Sequence, residues 1–124
     1  MVRQWEEFMV GPGDVEHDLH VTLSRKGEIL IGAKAFEKWG EPEAAVLYFE
    51  KVSSLIGLMP SNPHASNAYP LKSKAKVRYR VVRAYRFCRN HGIKVDRTVA
   101  FNDPEIDEDG RLVLNLKATR TVGK

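Results

Sequence analysis

The chain is short of the residues that most small functional sites are built from. It has one cysteine, Cys88, in 124 residues, so no disulfide can form within the chain, which fits a reducing, cytoplasmic setting. No apolar run approaches the ~20 residues of a membrane span. The first ten residues, "MVRQWEEFMV", carry two glutamates where a secretion signal needs an apolar core. No membrane partner is therefore expected. There is no glycine-rich phosphate loop and no dinucleotide fingerprint, and no nucleophile has a base close by in sequence. Neither an enzyme nor a cofactor is the expected reading. His17-x-x-His20 and Cys88-x-x-His91 are donors of a zinc-binding type, but nothing in the sequence brings the pairs together. Cys88 reads as a small buried hydrophobe and the histidines as surface groups, with no metal. "IDEDG", ending at Gly110, lacks the spaced oxygens and terminal glutamate of a calcium loop and reads as a hairpin turn.

What the chain does have is an uneven distribution of charge. Hydrophobic residues make up 43% and charged residues 29%, as in ordinary soluble domains. Residues 1–69 contain six Lys/Arg against ten Asp/Glu, and residues 70–124 contain fourteen against six. A chain divided in this way can attract a polyanion with one face.

The order of elements follows from pattern and punctuation. Residues 1–18 read as an N-terminal arm whose aromatics dock on the core. "LHVTLS" and "EILIG" are strands joined by "RKG", where Gly27 supplies the positive φ of a tight turn. "AKAFEKWG" is a short helix with Ala33, Phe36 and Trp39 on one side and Gly40 as its left-handed cap. "AAVLYFEKV" and "LIGLMP" are two more strands, completing a unit over residues 19–60. Residues 61–70 are rich in Pro, Ser and Asn and read as a linker. A basic strand–helix–strand–strand unit over 71–117 follows, and then a tail, 118–124. Helix, glycine, strand, turn, strand occurs on both sides of the linker, which suggests a weak internal duplication slipped by about one residue.

"LSRKGEILIGAKAFEKWG" resembles the AbrB-like swapped-hairpin DNA-binding family. That family combines a strand, a Gly-containing turn, a V/I-x-I-P run, a short helix ending in L-G and two closing strands. Gly27, Ile29, Ile31, Phe36, Trp39 and Gly40 stand at its apolar and glycine positions. The resemblance covers roughly residues 19–60, and the MraZ relatives carry two such units per chain. Gly32 stands where the family has proline, and Glu28 and Glu37 stand where arginines often contact DNA. The resemblance implies a β-rich α+β fold, a small swapped-hairpin barrel with a second, degenerate repeat. It also implies a homodimer and a role in transcription regulation.

The strongest chemical signal is "LKSKAKVRYRVVRAYRFCRNHG". Read as one strand, it aims Lys72, Lys74, Lys76, Arg78 and Arg80 at a single face. Arg83, Arg86 and Arg89 continue the charge along a helix with Val81, Tyr85 and Cys88 on one side, and Tyr79, Tyr85 and Phe87 interleave as stacking groups. Such a row suits the phosphates of DNA or RNA, with Arg25 and Lys26 as a secondary contact. The alternative is a protein–protein interaction module of the same fold, since cationic faces also occur as solvated surfaces and guarded strand edges.

Overall fold

In the computed structural model, residues 19–73 and 79–122 are described. The arm 1–18 and three of the expected contact residues, Lys74, Lys76 and Arg78, lie outside the described residues.

The opening hairpin forms as its residues dictate. β1 (Val21–Leu23) and β2 (Glu28–Ile31) pair antiparallel, with Val21 opposite Ile31 and Leu23 opposite Ile29. All four of these side chains are buried. Gly27 sits in the turn at φ +81°. The Ser24 hydroxyl accepts the N–H groups of Lys26 and Glu28, each at 3.2 Å. One residue later α1 (Ala33–Trp39) begins, burying Ala35, Phe36 and Trp39. Ala35, rather than the expected Ala33, joins the two aromatics because i, i+1 and i+4 share the stripe nearest the sheet. Gly40 at φ +99° ends the helix, and the Trp39 indole N–H donates to the Gly110 carbonyl at 2.9 Å.

β3 (Ala44–Glu50) and β4 (Leu55–Ser61) form a seven-residue antiparallel ladder. The Glu50 carboxylate accepts the N–H groups of Val52 and Ser53 across the intervening turn. Part of the proline-rich connector, Ala68–Pro70, forms β5 and pairs with β3. The remaining elements are β6 (Lys72–Ser73), β7 (Arg80–Arg83), α2 (Tyr85–His91), β8 (Val99–Phe101), β9 (Glu105–Ile106), β10 (Leu112–Asn115) and β11 (Thr119–Thr121). The tail thus contributes an edge strand.

The result is a strand-rich α+β fold with two antiparallel sheets, ordered β11-β8-β1-β2-β7-β6 and β5-β3-β4-β10-β9. The sheets are not closed into the expected barrel. Among the described residues, no ladder joins the edge strands β6 and β11 or β5 and β9. Both sheets take strands from both halves of the chain. Of the nine largest fully buried side chains, Val21, Leu23, Ile29, Ile31, Ile56 and Leu58 precede the connector and Val82, Leu112 and Leu114 follow it.

Two expectations for the basic segment are corrected. Lys72 to Arg80 is not one strand, because Lys72 pairs antiparallel with Val81 and Ser73 with Arg80. Directly opposed residues share a face and neighbours alternate, so Lys72 and Arg80 point to opposite faces. Val81 belongs to β7 and not to the helix. The Val81–Val82 pair is β-branched and bonds into the β2 ladder, and α2 starts at Tyr85. Over the strand, helix and glycine the two halves align without a slip. An offset of 52 residues carries Glu28–Ile31 onto Arg80–Arg83, Ala33–Trp39 onto Tyr85–His91 and Gly40 onto Gly92. The closing strands do not keep that offset, β4 and β10 starting 57 residues apart.

Asp107 organises the β9–β10 turn. Its carboxylate accepts the N–H groups of Asp109 and Arg111 at 2.9 Å and pairs with the Arg111 guanidinium at 3.1 Å. The Arg111 backbone N–H, more than any other group, holds the Asp107 carboxyl below its ordinary value.

Two outcomes are expected from urea denaturation. A Cβ at Gly27 would lie 2.9 Å from the Tyr85 backbone, whereas one at Gly92, also left-handed, would meet nothing within 4 Å. Gly27→Ala should therefore cost about 2–3 kcal/mol and Gly92→Ala about 1 kcal/mol. Because the folded-state value of Asp107 is depressed, its contribution is present above the ordinary carboxyl value and is lost as pH falls. Asp107→Asn should destabilise the protein at neutral pH and flatten the loss of stability on acidification below about pH 4.

Candidate nucleic-acid interface

The β1–β2 turn does not stand free. The Ala84 N–H, at the junction of β7 and α2, donates to the Gly27 carbonyl at 2.9 Å. This bond presses the basic turn against the basic helix. Between them lies a hollow of about 410 Å³. Arg25 and Lys26 line it from the turn, Arg89 from the last turn of α2, and Lys94 from the segment after Gly92. Leu23, Cys88, Ile93 and Val95 supply its apolar lining, and Tyr85 stands beside it, 56% exposed.

No carboxylate lines this hollow among the described residues. Arg89 stands in the last turn of α2, where basic residues commonly serve the C-terminal end of a helix. That end carries at most about half a negative charge, so four cations leave a clear positive excess. The turn's own amides are taken. Lys26 and Glu28 donate to the Ser24 hydroxyl and Gly27 donates to the Ser24 carbonyl at 2.9 Å. An anion here would be held by side chains and not by a backbone nest. The Arg89 guanidinium lies 3.4 Å from the Tyr85 hydroxyl, which ties the ring to the cationic rim. Burial raises the Cys88 thiol above its ordinary value, so it remains a neutral part of the lining.

The sequence-predicted residues separate into groups. Arg25, Lys26 and Arg89 come together at the hollow. Arg83 and Arg86 are exposed on β7 and α2 and do not line it; Arg83 stands opposite Glu28 in the ladder, on the sheet face away from Leu23. Lys72 is exposed on β6, away from this group in the sheet order. The Arg80 guanidinium lies over the Phe36 ring, 4.5 Å from its centroid, in a different recess. Phe87 is buried and packs against His91 and Phe49, with ring centroids 4.8 and 6.4 Å away, so it is not a surface stacking group. Lys94 was not singled out from the sequence. Its one signal is its place just past a helix-capping glycine in a basic segment.

Comparisons with protein families, with curated proteins and with solved structures return no match for this chain.

Proposed function

We propose that the protein binds nucleic acid, DNA or RNA, through the surface made by the β1–β2 turn and α2, in a regulatory role of the kind the AbrB-like resemblance implies. One observation carries the reading: the Ala84–Gly27 hydrogen bond gathers Arg25, Lys26, Arg89 and Lys94 around one hollow. Separated cations on a solvated surface would repel one another and gain little from being assembled. Set against a phosphate chain, each displaces a condensed counterion, and the group acts together. Exposed Arg86 adds a further cation on α2.

The reading is of a binding protein and not a catalyst. The nucleophile of the hollow, Cys88, is held toward its neutral form by burial, and no histidine or carboxylate lines the hollow among the described residues. The homodimer that the resemblance implies has its reason in a unit too small to bury its own core. Here β1 pairs with β8, and the connector strand β5 pairs with β3, so both sheets draw on both halves within the chain. The assembly we propose is that homodimer.

The test is an anisotropy titration against random-sequence duplex DNA at several salt concentrations, with the mass of the chain measured alongside. Affinity should fall steeply with salt, with a log–log slope of about −3.6 to −5.4 for four to six phosphate contacts. Arg25→Ala and Arg89→Ala should each weaken binding regardless of sequence and reduce the slope by about one. Unchanged affinity and slope in both variants would remove this surface as the contact.

A further inference from the structure

The 52-residue offset that relates the two helices also relates two hollows. Cys88, Ile93, Lys94 and Val95 line the basic one, and their counterparts Phe36, Glu41, Pro42 and Glu43 line a recess of about 380 Å³ beside α1. The same frame has therefore been finished with opposite chemistry. In the first half the floor is an aromatic ring covered by the Arg80 guanidinium, and the rim carries two glutamates. In the second half the lining is open and apolar, the rim carries four cations, and a tyrosine stands where the first half has Ala33.

A phosphate chain alone does not require an apolar lining. Rim cations are enough for it, and covering the half-buried Ile93 and Val95 with a phosphate gains nothing. An apolar hollow under a cationic rim, with an exposed aromatic ring at its edge, suits a ligand with a flat apolar part joined to an anion. About 410 Å³ lies within the range of small-ligand pockets, about 300–1,000 Å³.

We propose that the hollow takes one unpaired nucleotide, with its base against Tyr85 and the apolar lining and its phosphate on Arg25, Lys26, Arg89 and Lys94. This rests on the nucleic-acid reading above and narrows it, because a base paired inside a duplex cannot enter the hollow. The preferred ligand is a single strand. Charge alone predicts the reverse, since a duplex carries the denser array of phosphates and releases more counterions.

The experiment compares a short labelled oligothymidylate with a duplex of the same length at matched salt, by anisotropy, on the full chain. The single strand should bind at least about fivefold more tightly, since stacking on one aromatic ring supplies that much. Tyr85→Ala, which installs the first-half residue, should abolish the preference, and Tyr85→Phe should restore it. Arg89→Glu, which installs Glu37's residue type, should weaken both ligands. Tyr85 and Arg89 are exposed on α2, and unchanged thermal melting of the variants confirms that they fold. Equal or tighter duplex binding, or a preference that survives Tyr85→Ala, overturns the nucleotide hollow and leaves the broader reading intact. Failure of both ligands to bind removes both. Thymidine monophosphate is the third arm. Weak competition with the strand supports the proposal, whereas binding of the monophosphate without the strand overturns strand contact in favour of a free nucleotide.

Discussion

The antiparallel ladder between β2 and β7 is the constraint on which the rest of the molecule depends. Glu28–Ile31 and Arg80–Arg83 are about fifty residues apart in sequence, yet they lie side by side within the larger sheet. Each runs into a seven-residue helix after a single residue, and each helix ends on a left-handed glycine. Once Ile29 faces Val82, the two helices are fixed relative to each other. The Ala84 N–H can then reach the Gly27 carbonyl, and the basic turn meets the basic helix. Without this ladder Arg25 and Arg89 would be distant charges on separate elements.

The duplicated frame also explains how one surface can be specialised without a new fold. The two helix ends share the same capping bonds, although Glu41 stands at φ +53° and its counterpart Ile93 does not have a positive φ. In both, the glycine cap's N–H and that of the next residue bond back to the last turn, Gly40 and Glu41 in one half and Gly92 and Ile93 in the other. The frame tolerates different side chains because these bonds involve only backbone. Phe36 and Cys88, Glu41 and Ile93, Pro42 and Lys94, and Glu43 and Val95 can therefore differ, and the difference gives one hollow two rim glutamates and the other a basic rim. The cost of assembling like charges is limited, because the turn and helix that carry them are held by the core and by backbone bonds rather than by the charges themselves.

Much of the first half was legible in the sequence because its signals are local. Gly27 between two apolar runs gives the hairpin, and the spacing of Phe36 and Trp39 with Gly40 gives the helix and its end. The basic segment misled because its signal is genuinely ambiguous. Cations alternating from Lys72 to Arg80 fit a single strand as well as they fit a chain that doubles back. The pairing of Lys72 with Val81 is a tertiary fact that no local pattern carries. Val81 and Val82 sit in a stretch with helical spacing, and their β-branched side chains were the available clue to a strand. Ala68–Pro70 forms β5 despite its proline because an edge strand does not need every N–H. Of the hollow, its cations were visible as a list, but their convergence was not, because it depends on one hydrogen bond between residues far apart in sequence. Lys94 escaped notice for the same reason.

Native-state hydrogen exchange at the Ala84 amide tests the joining of the two halves most directly. This N–H crosses from the second half to the Gly27 carbonyl. If the β2–β7 ladder holds the molecule together, the amide exchanges only through global unfolding, as slowly as the core strands. Exchange as fast as that of the exposed β3–β4 turn would mean that the turn and α2 part freely, and the basic hollow would not exist as a lasting site.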